Sequence, residues 1–363
     1  MSTNTPALLS SVAGPTVLVD RHKAQANIAA MQAKAAAAHV RLRPHFKTHQ
    51  SVTIGGWFGA PADTAIAVSS VTMASRFAQA GWRDILLAIP LNPGAMAEYD
   101  QLAAQTRLGL TIEHEDALAT IARLTNPVDV YVELDAGYGR SGIPASQIKQ
   151  IDALLYKAQR CPKVGQIGLL LHAGNSYNSR GDDAIRAIHQ HSLNALDKLL
   201  SQLSFDRNQL LVSIGDTPTC SRMNSFPGAD EIRPGNYVFY DLMQQQIAAC
   251  TWSQVALALA CPVIARYPER GEVIVHGGAV HFSKDFVLID GQPIYGQVMQ
   301  SNPQGWSEPL AQAQVVGLSQ EHGKVRMPAE HIAQLQLGDV LVIVPAHSCL
   351  VMDASQGQCQ IIN

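Results

Sequence analysis

From residue 41 to about residue 241 the chain keeps one rhythm: short apolar runs rich in β-forming residues alternate with longer Ala- and Leu-rich segments of helical period. Such a rhythm confines the fold to parallel strands with helical crossovers. The candidate strands are RLRPHF (41–46), TAIAVSS (64–70), DILLAIP (84–90), GLTIE (109–113), VDVYVELD (128–135), QIGLLLHAG (166–174), LLVSIGD (210–216) and NYVFYD (236–241). Eight such strands predict an α/β fold of the TIM (β/α)8 barrel type, with an open doubly wound sheet as the alternative. The segment SVTMASRFAQAG begins on Ser and ends on Gly, as a capped crossover helix should.

After about residue 250 the rhythm changes. EVIVHGGAVHF, FVLIDGQPIYG, AQVVGLSQEHGKV and GDVLVIVPAHSCLVM are short strands separated by Gly, Pro and polar turns, which predicts a C-terminal all-β domain. The expected division is therefore an N-terminal strand within residues 1–20 joining the β-domain, a barrel over 21–248, and the β-domain over 249–363.

Composition narrows the function classes. With 26 basic and 29 acidic residues the net charge is −3, which offers nothing to attract nucleic acid or an anionic membrane. A 47% hydrophobic content fills real cores. Six scattered cysteines without a CxxC read as reduced thiols. The opening MSTNTPALLSSVAG has no basic residue ahead of an apolar core, and no apolar run approaches the roughly 20 residues of a membrane helix, so the expected location is the cytoplasm.

Chemistry in a TIM barrel gathers at the C-terminal ends of the strands, with phosphate sites near the last two. Lys47 follows the first predicted strand, Arg140 the fifth, and His172, Asn175 and Tyr177 the sixth. After the seventh comes GDTPT (215–219), whose Gly215 and Thr217 suit a phosphate-cradling turn, and near the eighth comes RPGNY with Gly235 and Asn236. A lone lysine after a strand is usually a solvated group. A lysine facing a phosphate turn across a barrel mouth is the arrangement that covalent attachment of pyridoxal phosphate (PLP) requires.

The stretches GPTVLVD, RPHFKTH, ELDAGYGRSG, HAGNSY, SIGDTPT, EIRPGNYVFYD, LSQEHG and PAHSC, in this order, resemble the fold-type III PLP enzymes built like alanine racemase, in the branch of D-serine dehydratase and D-threonine aldolase. The resemblance implies that Lys47 carries PLP and later acts as base on the α-proton of a D-amino acid. It implies that Gly215, Thr217, Gly235 and Asn236 cradle the phosphate, that Arg140 lies near the cofactor ring, and that Tyr177 and His172 line the same mouth. It also suggests a homodimer. One departure is His276 in VHGGAVHFSKD, where many relatives read an acid in a D-A-G stretch.

His347 and Cys349 in PAHSC form the second informative pair. On a strand, residues two apart share a face, so an imidazole and a thiol there can converge on one ion. Alone, two ligands are a weak metal signal, and the pair reads more readily as a structural His and a buried Cys. The resemblance makes it the His-x-Cys metal pair of D-serine dehydratases, where D-threonine aldolases have His-x-Asp, and a thiolate ligand favours Zn2+. His322 of SQEHG reads as a neighbour of the site or a surface group. His45 and His49 flank Lys47, and His189 and His191 read as surface residues of a helix.

The resemblance thus implies a PLP- and zinc-dependent lyase that converts D-serine or a related 3-hydroxy-D-amino acid to a 2-oxo acid and ammonia. The alternative is retro-aldol cleavage of D-threonine to glycine and an aldehyde. A racemase needs no metal, and a single-barrel PLP carrier would lack the C-terminal domain.

Overall fold

A computed structural model describes residues 11–363. The expectation about a targeting segment falls partly on the first ten residues, outside those described. Among the described residues no helix is long and apolar enough to cross a membrane, and all six cysteines are free. The described chain divides into two compact units, one made of residues 30–47 and 52–235, the other of residues 11–29, 48–51 and 236–363.

The first unit is the parallel barrel. Its eight strands are Arg41–Leu42, Ile66–Val68, Asp84–Pro90, Arg107–Ile112, Val128–Asp135, Val164–Leu171, Leu210–Ile214 and Glu231–Ile232. The ladder runs in chain order, and the last strand returns to pair in parallel with the first. A bridge between His45 and Ala67 closes the ring between first and second. One expected strand is corrected: residues 236–238 of NYVFYD form a 3-10 turn, and the eighth strand is the dipeptide Glu231–Ile232 just before it.

Local rules explain the crossovers. Ser70 caps the helix Val71–Gln79 by accepting the Met73 N–H at 3.1 Å, and Met73, Ala74, Phe77 and Ala78 form its buried stripe. The helix Asp182–Gln202 opens on two aspartates, which favour the positive end of its dipole, and buries Ile185, His189, Leu193 and Leu196 at helical spacing. That spacing corrects the surface reading of His189, whose Nε2–H donates to Ser225 O at 2.9 Å; His191 is exposed.

Inside the barrel an apolar layer of Ala67, Leu86, Tyr131 and Leu170 meets a buried ionic layer. Arg43 donates from Nε to Glu231 at 2.9 Å and from Nη1 to Asp84 at 2.7 Å, while Ser213 and Arg41 also bond Glu231. Glu231 burial alone would push its carboxyl up. Arg43 and Arg41 outweigh that and hold it below the usual carboxylate range.

The second unit is built on an eight-stranded sheet, and six strands close into a ring in the order Glu272–His276, His322–Arg326, Gly305–Leu318, Gly296–Asn302, Val340–Pro345 and Leu257–Tyr267. Thr16–Asp20 pairs antiparallel with Leu257–Tyr267 and parallel with Gln360–Ile362.

Candidate active site

Every sequence-predicted residue of the barrel unit lies just past the C-terminal end of a strand. Lys47 stands exposed in the turn after the first strand, and its backbone N–H points at His45 Nδ1, 3.4 Å away. The strand does not run straight through from 41 to 46; His45 reaches Lys47 because the chain turns at residue 46. His45 is itself anchored through its N–H to Pro234 O at 3.0 Å. Burial, and then the charges of Lys47, Arg233, His172 and Arg140, hold His45 well below the usual imidazole range, so it is neutral at pH 7.

His172 follows the sixth strand directly. Its Nδ1 lies 2.9 Å from Gly215 O, and a carbonyl only accepts, so Nδ1 carries the proton and Nε2 offers a lone pair. Burial pushes this imidazole down to about 3. Its ring sits edge-on to Tyr138, with Tyr177 on another side, at centroid distances of 5.9 and 6.3 Å. Arg140 stacks over Tyr138 at 5.4 Å and lies 3.7 Å from the buried Glu133 carboxylate. Burial raises Glu133, against the pull of the Ser141 hydroxyl and Arg140.

The turn after the seventh strand is built for close backbone approach. Gly215 has φ of 144°, and a Cβ there would lie 2.7 Å from Arg233 N. Asp216 is buried and accepts from Ser176 Oγ at 2.6 Å, Thr219 N at 2.9 Å and Thr219 Oγ1 at 2.7 Å, which fixes the turn. The Thr217 N–H points at Tyr177 Oη and the Gly235 N–H at Thr217 Oγ1, both at a long 3.3 Å. Two amides held at long distance from weak acceptors fit a phosphate, and Lys47 with His172 and Arg140 fits the ring end of PLP.

Asn236 belongs to the second unit. Its Nδ2 donates to Asp241 Oδ2 at 2.7 Å and lies 3.2 Å from Ser348 Oγ and 3.4 Å from Cys349 Sγ. The side chain thus serves the neighbourhood of the predicted metal pair.

The geometry of that pair departs from expectation. The strand ends at Pro345, His347 stands at the N-cap position of a helix without a side-chain bond to it, and Cys349 lies in the first turn of that helix, Ser348–Ala354. Ser348 N–H donates to the buried Asp241 at 2.9 Å, which bends the chain out of the sheet. The side chains converge through this capped turn and not by strand alternation. His347 Nδ1–H donates to Asp285 Oδ2 at 2.7 Å, leaving Nε2 as the ligating atom. Burial disfavours the charged imidazole, but the negative charge of a Cys349 thiolate beside it and the Asp285 bond prevail and raise it to about 11. An imidazole whose Nδ1 is fixed by a carboxylate, beside a thiol sulfur, is an N/S donor pair of the kind that fits Zn2+. Cys349 Sγ also meets the hydroxyl of buried Thr48 at 3.3 Å, and Thr48 is the residue after Lys47 in the chain.

Asp285, Asp241, Thr48 and Glu133 were not singled out from sequence. Each lies in a quoted stretch, but Asp285, Asp241 and Thr48 take partners far along the chain, at His347, Ser348 and Cys349, that no local pattern announces. His322 is exposed and lies opposite His276 on the neighbouring strand.

Two family models match the chain: alanine racemase, N-terminal domain, over residues 19–242, and putative serine dehydratase domain over residues 256–358. D-threo-3-hydroxyaspartate dehydratase of Delftia sp. (strain HT23) is 30% identical, over 92% of this chain and 90% of that protein. Its solved structure superposes with a TM-score of 0.83, at 29% identity over 95% of this chain and 93% of that one. A cysteine-to-alanine variant of that enzyme has been solved in a metal-free form. D-serine dehydratase of Dictyostelium discoideum is 28% identical over 93% of this chain and 90% of its own length, and a D-threonine aldolase of Arthrobacter sp. is 26% identical over 93% and 86%.

Proposed function

The chain belongs to the family that joins an alanine-racemase barrel to a serine-dehydratase domain, and from that premise we propose that it is a PLP- and zinc-dependent lyase that dehydrates D-serine or a related 3-hydroxy-D-amino acid to a 2-oxo acid and ammonia. The observation that carries the reading is the His347–Cys349 pair oriented by Asp285. Retro-aldol cleavage would instead remove the β-hydroxyl proton and break Cα–Cβ at the same PLP and metal residues, but a thiolate in place of a carboxylate favours zinc as a Lewis acid over a harder ion.

When bound, PLP supplies an electron sink for the carbanion at Cα and zinc polarises the departing β-hydroxyl. The remaining work falls to the chain. Lys47 Nζ would be the attachment point for the cofactor and the group that takes the Cα proton. The amides of Thr217 and Gly235 would hold the phosphate, in a turn whose shape depends on the close approach of Gly215 to the Arg233 backbone. Arg140 and Tyr177 orient the ring, and the neutral His172 offers Nε2 as an acceptor without adding positive charge. His347 Nε2 and Cys349 Sγ ligate the zinc, and Asp285 keeps the His347 proton on Nδ1.

The same reading makes the enzyme a cytoplasmic homodimer acting on small molecules. Its test is ammonia release from D-serine by PLP-loaded protein. Release should stop with a chelator and return with zinc, and fail to return in Cys349→Ala. Release indifferent to the chelator would remove zinc from the account, and no release from any 3-hydroxy-D-amino acid would overturn it.

A further inference from the structure

Away from the residues used above, the second unit brings His276, His281 and Glu321 together, with one ligating atom of each within 4.8 Å of the others. Nε2 of His276 lies 3.8 Å and Nε2 of His281 4.0 Å from Glu321 Oε2. The two rings stand at 89° with centroids 5.7 Å apart. Neither the proposed base, the phosphate turn nor the His347–Cys349 pair uses any of the three.

The backbone enforces this meeting. His276 ends the strand Glu272–His276, which is paired with His322–Arg326, and His281 lies in the helical turn Ala279–Phe282 that follows. Gly277 N–H donates to Glu321 O at 2.9 Å, Ala279 N–H to Ser319 O at 2.8 Å and Val280 N–H to Gln320 O at 3.3 Å. A Cβ on Gly278 would sit 2.3 Å from Gln320 O, and one on Gly323 2.5 Å from Gly277 O. The segments 276–281 and 319–323 therefore pack this tightly only with glycine at both positions.

We propose that His276, His281 and Glu321 form a second divalent-cation site, suited to a borderline ion such as Zn2+. Two imidazoles and one carboxylate are an established donor set for such an ion and leave its remaining positions to water. Ligands at about 2.0–2.2 Å from zinc lie closer to one another than these atoms do, so binding draws the three side chains inward. The half-exposed His276 and the exposed Glu321 have room to make that movement. Ligation through Nε2 places the His281 proton on Nδ1 and so gives up the 3.2 Å bond that Nδ1 accepts from Gly278 N–H. Affinity at this site is correspondingly lower than at the thiolate pair. A bound ion would pin segment 276–282 to the 319–323 turn, three residues ahead of Asp285 at its near end.

The test uses the full-length His347→Ala/Cys349→Ala variant, stripped with chelator and titrated with Zn2+ alone by calorimetry. One saturable equivalent and a raised Tm are expected. Both should vanish when His276→Ala and His281→Ala are added, or when Glu321→Gln is added as a single exposed change that leaves the fold intact. Co2+ in the same variant should give d–d bands without a thiolate charge-transfer band. No saturable Zn2+ binding, or an equivalent that survives these substitutions, would reduce the cluster to a surface ion pair and overturn the proposal.

Discussion

Asp285 Oδ2 lies 2.7 Å from Nδ1 of His347, 62 residues further along the chain, and so decides which imidazole nitrogen can face a metal. Partners of this kind orient a ligating histidine and raise its basicity, and losing one costs about 10–100-fold in metal affinity. Asp285→Ala should weaken zinc binding at His347 and Cys349 by that factor while leaving the absorbance of Lys47-bound PLP unchanged. Zinc titration followed beside the cofactor spectrum checks both halves.

Lys47→Ala should abolish the visible absorbance of lysine-linked PLP and lower turnover by at least roughly 10^2–10^4-fold, the usual worth of a positioned general base. Zinc content should stay at the wild-type level, because His347 and Cys349 do not depend on that amine. Absorbance spectra and metal analysis of the same sample make the comparison.

Gly215→Ala places a Cβ 2.7 Å from Arg233 N at a φ of 144°. The strain should cost about 1–3 kcal/mol of stability. PLP affinity should fall about tenfold or more, since the turn has to move. Urea unfolding of the apo-protein and a spectroscopic PLP titration measure the two losses separately.

His172 and His49 are both held down to about 3 by burial. Their native values lie below the unfolded one of about 6.5, so the unfolded chain binds more protons between those limits. Apo-protein stability should be indifferent to these groups above pH 6.5, fall as pH drops from 6.5 toward 3, and level off below. Denaturant unfolding at a series of pH values should show a shallower fall for His172→Gln than for the parent.

The barrel was legible because buried parallel strands are apolar runs, and DILLAIP and VDVYVELD fall on the observed Asp84–Pro90 and Val128–Asp135. The eighth strand was displaced because Glu231 is polar. It is buried by virtue of Arg43 and Arg41, 188 and 190 residues away in the chain, which no local pattern announces, whereas the apolar NYVFYD looks like a strand and forms a turn. His189 misled for the converse reason, a polar residue on the inward stripe with its own carbonyl partner. The order of Lys47, Arg140, His172 and Gly215 along the chain was enough to put them at one end of the barrel. What escaped were the groups that aim them: Asp285 on His347, Asp241 on Ser348 and Thr48 on Cys349.

The most direct measurement is a complete product analysis of PLP- and zinc-loaded protein with D-serine and D-threonine, with the L-isomers as controls. The account predicts pyruvate or 2-oxobutyrate together with ammonia from the D-isomers alone. Glycine with formaldehyde or acetaldehyde would contradict it and make the enzyme an aldolase.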